Sequence, residues 1–175
     1  MKIELKILPH LQHNPHFDLN QDTRNYRYYG PSYAKPGDAG MDIRACIDAP
    51  IELLPGDTVL IPTGLAFYGG SIWNSTELYN DDDTVVALTL VPRSGLGHKH
   101  GIILGNTIGV IDEGYQNETF ISAYNRSKVA YTIQPAERIC QIMVMPVVKA
   151  EWQIVDEFSG TTERGLGGFG STGVL

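Results

Sequence analysis

Near the start of the chain Ile3, Leu5 and Ile7 alternate with Glu4 and Lys6, the period-two pattern of a strand with one buried face. Runs of similar length, rich in Val, Ile, Thr and Tyr, follow at 58–61, 84–91, 129–133, 139–144 and 151–155. Turn-forming residues separate them: Pro55-Gly56-Asp57, Pro62-Thr63-Gly64, Gly95 with Gly97, Gln134-Pro135 and Ser159-Gly160. The 3.6-residue period of an amphipathic helix is almost absent. Many short strands at fairly even spacing predict an all-β sandwich or jelly roll. The alternative is an α+β fold with a short helix among the turns.

Three stretches break this rhythm. Residues 10–38 are polar and rich in Tyr, Asn and Pro, and read as mostly loop. Residues 69–84 interrupt two strand-like runs and carry Asp81, Asp82 and Asp83, together with Trp73 and Tyr79, which are expected to pack the insert onto its own domain. Residues 164–173, RGLGGFGSTG, hold five glycines in ten positions.

Composition narrows the class. The chain has 175 residues, 42% hydrophobic and 19% charged, which fits one globular domain with its own core. No apolar run is long enough to span a bilayer as a helix, and the charged, Pro-broken start does not read as a secretory signal. Cys46 and Cys140 stand far apart and form neither a disulfide framework nor a metal pair, so a cytoplasmic location is expected. Thirteen Lys and Arg against twenty Asp and Glu give a net charge of −7, with no basic block. Such a chain repels a nucleic-acid backbone, although a few converging arginines, backbone N–H groups or a divalent cation still hold a small polyanion.

Four segments carry candidate chemistry on their own terms. The Gly-rich tail lets consecutive N–H groups face one anion, with the Ser171 and Thr172 hydroxyls adding donors, the Arg164 guanidinium suited to a terminal phosphate and the Phe169 ring suited to a base face. No Lys follows the glycines as in a Walker loop. Pro92-Arg93-Ser94-Gly95 places a cation, a hydroxyl and a glycine turn at a strand end. Asp112, between Ile111 and a glycine turn, suits a general base towards water. Asp42 lies in a half-apolar strand, where an edge Asp bonded to nearby backbone is the plain alternative. His10, His13 and His16 recur every third residue, but Pro9 and Pro15 argue against a helix presenting them to a metal, and His98 and His100 read as loop surface. Asp81–Asp83 lack the spacing of a calcium loop. Cys140 reads as a small core residue.

Taken in order, AGMDIRA, PRSGLG, GVIDEGY, QPAERICQI and RGLGGFGSTG resemble the five motifs of the trimeric dUTPase family. The likeness runs from residue 36 to 173, and IPTGLAF, GHKHGIILGN and FISAYNRS resemble the intervening family sequence. It implies a jelly-roll-like β barrel over residues 1–160, with insertions near 10–35 and 69–84. A flexible Gly-rich arm, 161–175, would close the active site.

The implied reaction is hydrolysis of dUTP to dUMP and pyrophosphate, with Mg²⁺ held through the substrate phosphates and waters rather than by side chains. This keeps uracil out of DNA and supplies dUMP for thymidylate synthesis. The resemblance also implies a homotrimer whose active sites each use motifs from all three subunits. By position, Asp112 holds the water that attacks the α-phosphorus in line and also the sugar 3′-hydroxyl, and Tyr115 packs under the deoxyribose where a 2′-hydroxyl would clash. Asn106 helps read uracil. Arg93, Ser94, Gly95 and Gln141 contact phosphates or their waters. Arg164 reaches the γ-phosphate, Phe169 stacks on uracil, and Gly170, Ser171 and Thr172 close over the terminal phosphate. Asp42 supports the water and phosphate network.

Two positions depart from the family pattern: Asn117 and Ala136 stand where glycine is common. Two rival functions stand beside this one. dCTP deaminases share fold and motifs but use a Glu on the strand after the third motif, where this chain has Ser122. A regulatory protein on the same scaffold would hold a protein partner through the insert 69–84.

Overall fold

The computed structural model describes residues 3–17, 30–68, 84–112, 114–165 and 167. The insert at 69–83 and the tail residues Phe169, Gly170, Ser171 and Thr172 lie outside these residues. β1 (Glu4–Ile7) leads through a one-turn helix, α1 (Pro9–Gln12), towards β2 (Met41–Arg44), β3 (Ile51–Leu53), β4 (Thr58–Pro62) and β5 (Leu65–Tyr68). Then come β6 (Thr84–Pro92), helix α2 (Ser94–His100), β7 (Ile102–Leu104), β8 (Gly109–Ile111), β9 (Phe120–Asn125), β10 (Tyr131–Ile133) and β11 (Arg138–Val148).

All strand pairings are antiparallel. The largest sheet has the order β2-β11-β6-β8, and a second has β4-β9-β7. β1 pairs with β5 and β10 with β3 as two-stranded ribbons. Alternate residues point inward, so Ile43, Ile61, Leu88, Ile121, Ile133 and Ile142 are almost wholly buried in one core. Each such side chain contributes roughly 1.5–3 kcal/mol. The predicted strands at 58–61, 84–91 and 139–144 are present, and β11 runs on to Val148 because β6 stays paired with it along nine positions.

A bulge interrupts β11 against β2 between Arg138 and Cys140. It lets the consecutive residues Ile139 and Cys140 both point into the core, while Arg138 reaches the β2 side chains outside it. Bulges re-aim side chains in this way next to functional sites.

Two expectations are corrected and two positions are clarified. The described part of residues 10–38 is mostly loop, but Pro9 opens α1 with its φ preset for a helix, and Leu11, Asn14 and Phe17 are buried. Gly95 and Gly97 do not mark a turn but lie in α2. Leu96 and Gly97 are buried there, and α2 ends at Gly101, whose φ of +71° is left-handed and where a Cβ would stand 2.7 Å from Ser127 Cβ. Residues 151–155 form no strand, because no described segment pairs with them. Lastly, among described non-glycine residues positive φ is confined to Thr107 and Ala136, so Asn117 needs no glycine-like conformation.

Candidate active site

β2, β11 and β6 lie side by side, and their registers place Gln141 on β11 opposite both Asp42 and Val91. Two residues after Val91, Arg93 leaves the strand. Its Nε donates to Asp42 Oδ1 at 2.9 Å and its Nη1 donates to the Arg138 carbonyl at 3.1 Å. Arg138 Nη1 donates to the other carboxylate oxygen, Asp42 Oδ2, at 3.0 Å. Asp42 is buried, so its charge is held by both guanidiniums where water screens it little and charge-assisted bonds are strong. The plain alternative for Asp42, an edge residue bonded only to backbone, is thereby replaced by a two-arginine anchor.

Arg93, Ser94, Gly95, Lys99, His100 and Gln141 line a cleft of about 290 Å³. Its hydroxyl, cations and amide suit an oxyanion, and α2 holds Ser94 and Lys99 on one short element. His100 also stacks at a tilt on Tyr131, whose hydroxyl donates to Glu137. Burial, and then the Glu137 carboxylate, push the Tyr131 phenol up from its ordinary value.

Asn106 lies in the turn between β7 and β8. The turn is closed by Thr107 N–H on the Leu104 carbonyl, and the Asn106 amide lies against Gly109, where a Cβ would sit 3.5 Å from Nδ2. Asp112 follows β8 with its side chain exposed, and its carbonyl accepts the Tyr115 N–H at 3.0 Å. The Tyr115 hydroxyl donates to the Glu118 carbonyl at 2.7 Å.

Asp112 is not at the Arg93 cleft within the chain. Ile111 stands opposite Leu88 and Gln141 opposite Val91, three residues further along β6. That is roughly 10 Å along the strand, with β6 itself between β8 and β11. One chain thus brings Asp42, Arg93, Ser94, Gly95 and Gln141 together and leaves Asp112 with Tyr115, beyond β8 from the Asn106 turn, outside that cleft. Arg164 forms neither: its Nε donates to the Gly167 carbonyl in a turn of the C-terminal segment. Among the described residues no group of three His, Cys, Asp or Glu is placed to hold a metal ion.

The sequence reading missed Arg138, Lys99 and Glu118. Arg138 was within reach of it, since it stands three residues before Gln141 in QPAERICQI.

A profile of the dUTPase family matches residues 29–173. The chain belongs to the dUTPase family. As a dUTPase it is a dUTP diphosphatase, hydrolysing dUTP to dUMP. The deoxyuridine 5'-triphosphate nucleotidohydrolase of Aeromonas salmonicida is 53% identical over 172 residues, covering 98% of this chain and 97% of that one. Among solved structures, the dUTPase of Staphylococcus bacteriophage 80alpha with dUPNHPP superposes with a TM-score of 0.72 at 22% identity, covering 99% of each chain. A variant of the dUTPase from phage phi11 of S. aureus, described with a structural Mg(II) ion, gives a TM-score of 0.64 at 18% identity over 91% of this chain and 100% of that one. At that identity these two bear on the fold, which is the jelly-roll-like β fold of dUTPases.

Proposed function

We propose that this dUTPase works by in-line attack of water on the α-phosphorus, at sites shared between the subunits of a homotrimer. Asp112 holds the water as general base and also the sugar 3′-hydroxyl; its exposed carboxylate suits both tasks. Tyr115 packs under the deoxyribose, and Asn106 reads uracil. Arg93, Ser94, Gly95 and Gln141 bind the phosphates or their waters, with Asp42 holding Arg93 in place. Arg164 serves the γ-phosphate, Phe169 stacks on uracil, and Gly170, Ser171 and Thr172 close the site, so that residues 161–175 act as a lid on the barrel of residues 1–160.

Both oxygens of Asp42 are committed to arginines, so the reading has Mg²⁺ held by substrate phosphates and water. When bound there it neutralises charge on the triphosphate. The chain's own part is to position: Arg93 and Gln141 fix the phosphates while Asp112 fixes the water.

The observation that carries this reading is the separation of the Asp112 cluster from the Arg93 cleft within one chain. In this reading each cluster supplies part of the site and a neighbouring subunit completes it. The C-terminal segment adds support: Trp152, Ile154 and Phe158 are each at least 90% exposed, apolar side chains that a partner subunit would cover. The same reading makes the enzyme a cytoplasmic source of dUMP for thymidylate synthesis that keeps uracil out of DNA. Its test is Asp112→Asn. Pyrophosphate release should fall by roughly 10²- to 10⁴-fold, while a non-hydrolysable dUTP analogue still binds. Turnover within a few-fold of wild type would remove Asp112 as the base.

A further inference from the structure

The segment before residue 18 has no part in the five motifs, yet it grips the turn that carries Tyr115. His10 Nε2, on α1, lies 2.9 Å from Glu118 Oε1, and the same carboxylate oxygen accepts the Gly64 N–H at 2.8 Å. The Gly64 carbonyl in turn accepts the Leu8 N–H at 2.8 Å. Gly64 has a φ of +69°, and a Cβ there would stand 2.3 Å from Leu11 Cβ, so α1 packs directly on its backbone. The next residue of the turn is stapled to the same corner: the Thr63 hydroxyl donates to the Thr119 carbonyl at 2.6 Å, and Thr119 N–H donates to the Leu65 carbonyl. On its other side the turn meets β1, since Gln116 lines a cavity of about 250 Å³ with Leu5, Lys6, Phe67 and Tyr68.

We infer that Glu118, held by His10 and Gly64, is a positioning residue for Tyr115 and so for discrimination against ribonucleotides. The link is direct. The Glu118 carbonyl accepts the Tyr115 hydroxyl, so the place of residue 118 sets the place of the ring edge. Glu118 is largely buried while His10 and Tyr115 are both more than 40% exposed, so residue 118 is the fixed point: its carboxylate meets His10 and its main-chain carbonyl meets the Tyr115 hydroxyl. A ring that excludes a 2′-hydroxyl by contact works only if it cannot yield, and the two hydrogen bonds to Glu118 Oε1 remove that freedom. The N-terminal strand and helix thereby serve substrate choice without touching substrate.

This inference rests on the reading of Tyr115 as the sugar contact, and the test separates the two. Steady-state pyrophosphate release from dUTP and from UTP is compared for wild type, Glu118→Ala, Glu118→Gln, His10→Ala, Tyr115→Phe and Tyr115→Ala. Tyr115→Ala should abolish most of the preference for dUTP. Glu118→Ala and Tyr115→Phe should each lower the dUTP-to-UTP ratio of kcat/KM by about tenfold, chiefly through KM. Combined, they should do no more than either alone, because both act through the one bond from the Tyr115 hydroxyl to the residue 118 carbonyl. Glu118→Gln keeps an acceptor for Gly64 N–H and should restore most of the ratio. His10→Ala, at an exposed side chain that leaves the fold intact, should lower it by a smaller factor. If Tyr115→Ala loses the preference while Glu118→Ala and His10→Ala stay within twofold of wild type, the positioning role is overturned and the sugar contact stands. If Tyr115→Ala itself keeps the preference, the sugar contact falls and this inference with it.

Discussion

Arg93 and Asp42 stand 51 positions apart in sequence and are joined by a 2.9 Å bond from Nε to Oδ1. The bond uses the guanidinium's inner edge. Nη1 is also committed, to the Arg138 carbonyl, so Arg93 is held by two fixed acceptors while its side chain still lines the cleft. An arginine fixed in this way meets a phosphate without first losing rotamer freedom. Asp42→Asn should therefore lower kcat/KM by roughly 10- to 100-fold through KM, with the fold retained. Arg93→Lys should do the same, because an ammonium cannot serve both acceptors and a phosphate. Initial rates across dUTP concentrations check both.

Ala136 is the position where the chain departs from glycine at a structural cost. Its φ is +60°, its N–H donates to the Ala45 carbonyl and its carbonyl accepts Arg44 Nη1 at 2.7 Å, so the conformation is pinned. A left-handed L-residue costs about 1–2 kcal/mol, partly offset because glycine is freer when unfolded. Ala136→Gly should raise the melting temperature by about 2–4 °C, measured by calorimetry.

Cys46 supplies a pH dependence. Burial first, then the Glu118 and Asp48 carboxylates, push its thiol from 9.0 up to about 11. The folded state thus holds a proton that the unfolded state loses more readily. Its contribution is full below pH 9 and is lost as pH rises towards 11. Burial moves the Cys140 thiol the same way. Urea midpoints should fall between those pH values, and Cys46→Ala, though less stable at neutral pH, should show a shallower decline.

The C-terminal segment yields a further test. Every described strand ends by Val148, and residues 149–165 are exposed. Deleting residues 161–175 should leave the fold intact and lower kcat/KM by at least about 100-fold, since the proposed γ-phosphate contact and lid would be lost together. Hydrogen exchange of the full chain should show the arm protected by a dUTP analogue with Mg²⁺ and far less by dUMP.

What the sequence disclosed follows from what is local. The alternation in Ile3, Leu5 and Ile7 and the apolar runs of β6 and β11 are short-range patterns, and the strands formed there. α2 was hidden because Gly95 and Gly97 signal turns locally, and only burial of Leu96 against the rest of the chain makes the helix worthwhile. The alternation at Trp152 and Ile154 misled in the opposite way: a strand needs a partner, and none of the described segments supplies one. The motifs pointed to Arg93, Gln141 and Asp112, but not to Asp42 as the anchor of two arginines, nor to His10 against Glu118, 108 positions away. Such pairings exist only once the strands have their register.

In the proposed trimer, Asp112 of one subunit acts on substrate held by Arg93 of another. The direct measurement is complementation: Asp112→Asn and Arg93→Ala proteins, each inactive alone, are denatured together, refolded as mixed oligomers and assayed for pyrophosphate release from dUTP. Shared sites predict that activity returns in the mixture and not in either protein refolded alone, because some sites pair an intact Asp112 with an intact Arg93 on a different chain. A mixture of proven hetero-oligomers that stays as inactive as its parents would rule out sites shared between subunits.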